Sequence, residues 1–114
     1  MSFQDVMIEL RAEYLKGFPN KISLLKINLA INNIEELELE FHKMKGTGAT
    51  YGIPEISVIG EIMETCCLKK PELLEKAIPA ICNILNFIIA QRTQNIETAL
   101  TDLPEFKELL KMIL

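Results

Sequence analysis

The chain has one histidine, His42, within the run Phe41-His42-Lys43-Met44-Lys45-Gly46-Thr47-Gly48-Ala49-Thr50-Tyr51-Gly52. A neutral imidazole nitrogen is a competent nucleophile near neutral pH and can carry a transferred group. A helix turns about 100° per residue, so Ile34, Leu37, Phe41, Met44 and Gly48 form an apolar stripe centred about 120° around from His42. The imidazole is therefore expected to point outward, on the flank of its helix. Lys45 and Gly46 follow at three and four residues, which places both beside His42 one turn later. Ala49 lies two turns later on the same side. This constellation suits phosphoryl transfer, a reaction dominated by positioning and by charge on the phosphoryl oxygens. Lys45 can set its ammonium against that charge. Gly46 and Ala49 leave room for a second protein to bring its active site over the helix. A glycine inside a helix costs about 0.5–1 kcal/mol relative to alanine. Gly46 and Gly48 thus need a reason, and close approach by a partner or a neighbouring helix supplies one.

The residues around this run must build what holds it. With 114 residues the chain fits one domain. Its hydrophobic fraction of 49% is enough for a core, and five glycines and five prolines are too few for a turn-rich all-β fold. A net charge of −4 argues against nucleic-acid binding, which needs a basic face. Asp5, Glu9, Arg11 and Glu13 interrupt the first twenty residues, unlike a signal peptide. The longest uncharged run, Ala77 to Gln91, is 15 residues, short of the roughly 20 that span a bilayer. A soluble, cytoplasmic protein without membrane contact is expected. Cys66, Cys67 and Cys82 give an odd count and no disulfide framework, so buried reduced thiols are expected. With a single histidine and no clustered ligands, no metal site of the usual ligand count is expected.

The periodicity predicts helices throughout. The first covers about Phe3 to Lys16, with Val6, Leu10, Met7 and Tyr14 on one side, and ends at Gly17-Phe18-Pro19. The second spans about Pro19 to Ile31, with Ile22, Leu25 and Leu29 inward, broadened by Ile27 and Ala30. Asn32-Asn33 makes a turn, with Asn33 a cap for the third helix, about Ile34 to Tyr51. The fourth covers about Pro54 to Cys67, with Ile56, Ile59, Met63 and Cys66 inward. The fifth runs from about Pro71 to Arg92, with Leu74, Ile78, Ile81, Leu85 and Ile88 in register and Pro79 expected to kink it. Residues 93–101 are ambiguous, and Asp102-Leu103-Pro104-Glu105 reads as a capped start for a last short helix. Short connections between amphipathic helices imply an all-α, antiparallel up-down bundle.

The run His42, Met44, Lys45, Gly46, Thr47, Gly48, Tyr51, Gly52 resembles the signature of histidine phosphotransfer (HPt) domains, His-x-[Leu/Met]-Lys-Gly-[small]-[small]-x-x-[apolar]-Gly. The likeness extends in helix order from about residue 18 to residue 92. It implies a four-helix bundle with a short N-terminal covering helix in residues 1–92, followed by a C-terminal extension over 93–114. Pro79 and that extension depart from the common four-helix core. The resemblance further implies a phosphocarrier in a two-component phosphorelay, with no catalytic machinery of its own. It would accept a phosphoryl group from a receiver-domain phosphoaspartate and pass it to another receiver. His42 would be the phosphorylated residue, Lys45 the neutralising cation and Gly46 the clearance residue. No cofactor is implied for this chain, since the Mg²⁺ and the acidic pocket belong to the receiver. Expected partners are response-regulator receiver domains and a hybrid sensor histidine kinase, with the chain itself a monomer. One alternative is an HPt module phosphorylated directly by a chemotaxis-type kinase. Another is a helical adaptor without phosphotransfer, against which intact His42, Lys45 and Gly46 argue. A hydrolase is disfavoured because no acid–base partner for His42 is evident beyond helix-surface glutamates.

The same helical wheel puts Leu39 about 60° from His42, on the side away from the core stripe. It is expected to belong, with Ala49 and Glu38, to the surface that a receiver covers. Glu35 and Glu38 on that face should favour a partner with basic or polar groups at its edge.

Overall fold

The computed structural model describes all 114 residues, and they form helices and turns with no strand. The six α-helices are α1 (Phe3–Lys16), α2 (Phe18–Ala30), α3 (Ile34–Gly48), α4 (Pro54–Lys69), α5 (Leu74–Thr93) and α6 (Pro104–Ile113). Short 3₁₀ turns, Pro71–Leu73 and Leu100–Asp102, precede α5 and α6. The helices α3, α4 and α5 bury most of the stripe that their periodicity marks. Leu37, Phe41, Met44 and Gly48 of α3 are buried, as are Ile56, Ile59, Met63 and Cys66 of α4 and the five in-register positions of α5. A single core draws on α2 to α6, and α6 adds Phe106, Leu109 and Ile113 to it.

Capping chemistry sets the joints. The Asn33 side chain accepts from Glu36 N–H and starts α3. Asn32, Gly52 and Asn95 all take a positive φ, of 56°, 79° and 61°. At each the next residue's N–H reaches back five positions, to the carbonyls of Asn28, Gly48 and Gln91, closing the helix end. The last turn of α3 thus continues past its regular end at Gly48, through Tyr51, before Gly52 turns the chain. From there α4 runs antiparallel to α3, and these two helices share the most extensive contact in the molecule.

Several expectations are corrected. On α1, Val6 and Leu10 are exposed, and Met7, Arg11, Tyr14 and Leu15 are the half-buried positions. The helix buries no residue fully, because it meets the other helices through aromatic and polar groups at its C-terminal end. On α2, Asn28 is buried while Ile27 and Ala30 are exposed, since the inward line at spacing three runs Ile22, Leu25, Asn28. Asp102 does not cap α6: it closes the preceding 3₁₀ turn, and Leu103 precedes Pro104 with no side-chain cap. As expected, α5 carries Pro79 inside it and runs on to Thr93, with Pro79 itself exposed. The stretch Pro71–Thr93 is long and apolar enough, by length and composition, to cross a membrane. One face of it, from Leu74 to Ile88, is packed in the core, while Phe87 is exposed.

One buried ion pair ties the ends together. Arg92, at the close of α5, donates Nε and Nη2 to the two carboxylate oxygens of Glu55, at 2.9 and 2.6 Å, in the first turn of α4. Glu55 also accepts from Thr98 N–H at 3.2 Å, which fastens the loop leading to α6. Burial works to raise the Glu55 carboxyl, but the guanidinium and backbone N–H donors outweigh it and hold it below its ordinary value.

Candidate functional site

Burial of Leu37, Phe41, Met44 and Gly48 fixes the rotation of α3, and His42 is therefore turned to solvent with its side chain 67% exposed. Its ring is not free to spin. Nδ1 lies 2.9 Å from Oε2 of Glu64 on α4, whose side chain is only 19% exposed. A carboxylate can only accept, so the neutral imidazole donates Nδ1–H to it and keeps the Nε2 lone pair outward. This is the partner that the sequence did not disclose. Glu64 is 22 residues away, and the pairing depends on the register between two helices. A glutamate beside the inward stripe of α4 was the only available signal.

The other candidates fall around this pair. Lys45 is exposed one turn along and makes no ion pair, while Lys43 is engaged by Glu40 at 3.4 Å. Gly46 is exposed, and a Cβ added there would meet nothing within 4 Å. Ala49 is exposed at the end of α3, where its N–H donates to Ser57 Oγ at 2.7 Å. Leu39 is 43% exposed. It lines a shallow recess with Glu35, Glu36, Glu38 and His42. Glu38 is half-buried beside that recess.

The two glycines of α3 thus have different surroundings. Gly46 faces open space. At Gly48 a Cβ would lie 2.7 Å from Ser57 Oγ and 2.9 Å from Ile53 O, so here the close approach is that of α4.

The far end of α3 is braced by α1. Thr47 Oγ1 donates to Lys43 O at 2.7 Å and receives the Tyr14 hydroxyl at 2.7 Å. Tyr14 stacks on Tyr51, and Arg11 Nε donates to Tyr51 O at 3.0 Å. The cysteines offer no competing nucleophile. All three are free and buried, and burial, with neighbouring Cys66, Glu38 and Glu64, pushes the Cys67 thiol up to about 12.

A family model described as Hpt domain matches residues 9–112. No curated protein and no solved structure matches the chain.

Proposed function

The chain belongs to the Hpt domain family, whose members carry phosphoryl groups on histidine in phosphorelays, and from this we propose that His42 is the residue phosphorylated here. The donor is a phosphoaspartate on a receiver domain, and the acceptor is an aspartate on another. The observation that supports this most directly is the geometry of His42, an exposed imidazole with its Nδ1–H held by Glu64 and open space over Gly46.

In the transfer step Nε2 attacks the phosphorus of the receiver's acyl phosphate, the Nε2–P bond forms, and the P–O bond to aspartate breaks. The aspartate leaves as a carboxylate. The proton on Nδ1 stays in place, and Glu64 compensates the positive charge that the ring acquires. Lys45, without a competing carboxylate, sets its ammonium near the phosphoryl oxygens. The receiver contributes Mg²⁺ and the acidic pocket. In this reading α2 to α5 form the antiparallel four-helix bundle, α1 covers one side of it, and residues 93–114 are the extension. The chain acts as a cytoplasmic monomer that meets receiver domains and a hybrid sensor kinase.

Incubation with a phosphorylated receiver tests the proposal: acid-labile label should appear on the chain and then leave on addition of a second, unphosphorylated receiver. Failure to take up label from any receiver would leave a helical adaptor. Lys45→Ala should slow the transfer several-fold without loss of helicity, since alanine is the better helix former. The contribution is electrostatic, so the gap between variant and wild type should narrow as salt is raised. Equal rates at low salt would remove Lys45 from the site.

The docking face admits a separate measurement. Leu39→Ser should weaken receiver binding by about 1–2 kcal/mol, the scale of one apolar side chain buried on association. The exposure of Leu39 means that thermal stability should hardly change. A variant that binds normally but melts early would show that Leu39 serves the fold.

A further inference from the structure

Gly60 lies on α4 one turn before Glu64, against the turn of α3 that carries His42. A Cβ at Gly60 would collide with Lys45 N and lie 2.6 Å from Phe41 O and 2.9 Å from Lys45 Cα. These are backbone atoms, which cannot swing aside as a side chain would. Phe41 O and Lys45 N are separated by one helical turn, and His42 sits on the chain between them. At Gly60, α3 and α4 therefore meet backbone to backbone, directly behind the nucleophile.

We propose that Gly60 is a positioning residue for phosphoryl transfer: its bare Cα sets the α3–α4 separation at which Glu64 reaches Nδ1 of His42 and leaves Nε2 for the phosphoryl group. This rests on the reading of His42 as the carrier. A methyl group at residue 60 must move from 2.6 Å to an ordinary contact of at least 3.4 Å from Phe41 O, a retreat of roughly 0.8 Å that would take a 2.9 Å hydrogen bond beyond its useful range. Glu64 has little latitude to follow, because its side chain is largely enclosed between the helices. Loss of the bond frees the ring to rotate and to place its proton on Nε2, the nitrogen that must attack.

The test is nitrogen NMR of His42 in the complete chain, without any partner. The wild type should show the neutral ring with its proton on Nδ1. Gly60→Ala should remain helical, lose that tautomer preference toward the mixture of a free imidazole, and accept label several-fold more slowly. Glu64→Ala should do the same, and the double variant should be no slower than either single one, because both act through one hydrogen bond. Glu64→Asp, which withdraws the carboxylate by one methylene without touching the Gly60 contact, should also lose the preference, and it remains informative if Gly60→Ala fails to fold. A folded Gly60→Ala with the wild-type tautomer would overturn the proposal. So would a Glu64→Asp protein that keeps it, or a double variant slower than both singles. If the tautomer responds as expected but no variant and no wild type ever takes label, the carrier reading fails, and Gly60 sets the His42–Glu64 contact without serving phosphoryl transfer.

Discussion

His42→Gln should abolish phosphoryl acceptance and leave the protein folded. The glutamine amide has no nucleophilic nitrogen, and the chain has no second histidine to substitute. The side chain is turned to solvent, so its replacement opens no cavity in the core, and surface changes of this kind alter stability by only about 0.5 kcal/mol. Glutamine can still donate a hydrogen bond toward Glu64, which keeps the α3–α4 contact as it is. The measurement is label uptake from a phosphorylated receiver, read beside a thermal melt of the same sample. Uptake in the variant at the wild-type level would place the nucleophile elsewhere. An unfolded variant would mean that His42 holds the helices together.

The second large effect is expected far from that chemistry, at Glu55 and Arg92. Glu55→Ala leaves a guanidinium buried with its carboxylate gone and Thr98 N–H without its acceptor. Breaking a buried pair from one side costs about 3–5 kcal/mol, a large part of the roughly 5–15 kcal/mol that holds a domain of this kind together. The change should appear as a lower denaturant midpoint with an unaltered slope. Replacing both partners together, as Glu55→Leu with Arg92→Met, should recover most of the loss, because no uncompensated charge remains. The pair also sets a pH dependence. The folded Glu55 carboxyl releases its proton at a lower pH than the ordinary value of 4.5. Its contribution is therefore complete above that value and is lost as the pH falls through the folded titration. Wild type should lose stability on acidification below about pH 4.5 more steeply than the double variant that lacks both charges. Parallel acid profiles would show that the pair does not control it.

The sequence carried the stripes of α3, α4 and α5 clearly, because in each helix one line of apolar residues at spacing three and four meets the core. It also carried the exposure of His42, which follows from the stripe of its own helix. The inner face of α1 was not legible, because Arg11 and Tyr14 dock through polar and ring contacts that no hydrophobic period marks. Asn28 is buried on α2 where an apolar residue would be sought, and Leu29 beside it drew the stripe aside. Glu64 and Gly60 required the register of α4 along α3, a relation between two helices that neither helix encodes alone. Gly60 did leave one trace, a glycine in the middle of an otherwise good helix, which signals a packing reason without naming the neighbour. Glu55 and Arg92 likewise read as ordinary charges near helix ends, and only the fold joins them across 37 residues.

The shallow seating of α1 has an energetic consequence of its own. Its anchors all lie in the last two turns, at Arg11, Tyr14 and Leu15, while Phe3, Val6, Ile8 and Leu10 stand in solvent. With no fully buried side chain, little apolar surface returns to water when the helix lifts away, and the core drawn from α2 to α6 stays intact. The free energy of that opening is therefore a fraction of the global one, and α1 forms the least protected unit of the molecule. Its amide hydrogens are expected to exchange with solvent through excursions of α1 alone, whereas those of α4 and α5 should wait for the whole domain to open.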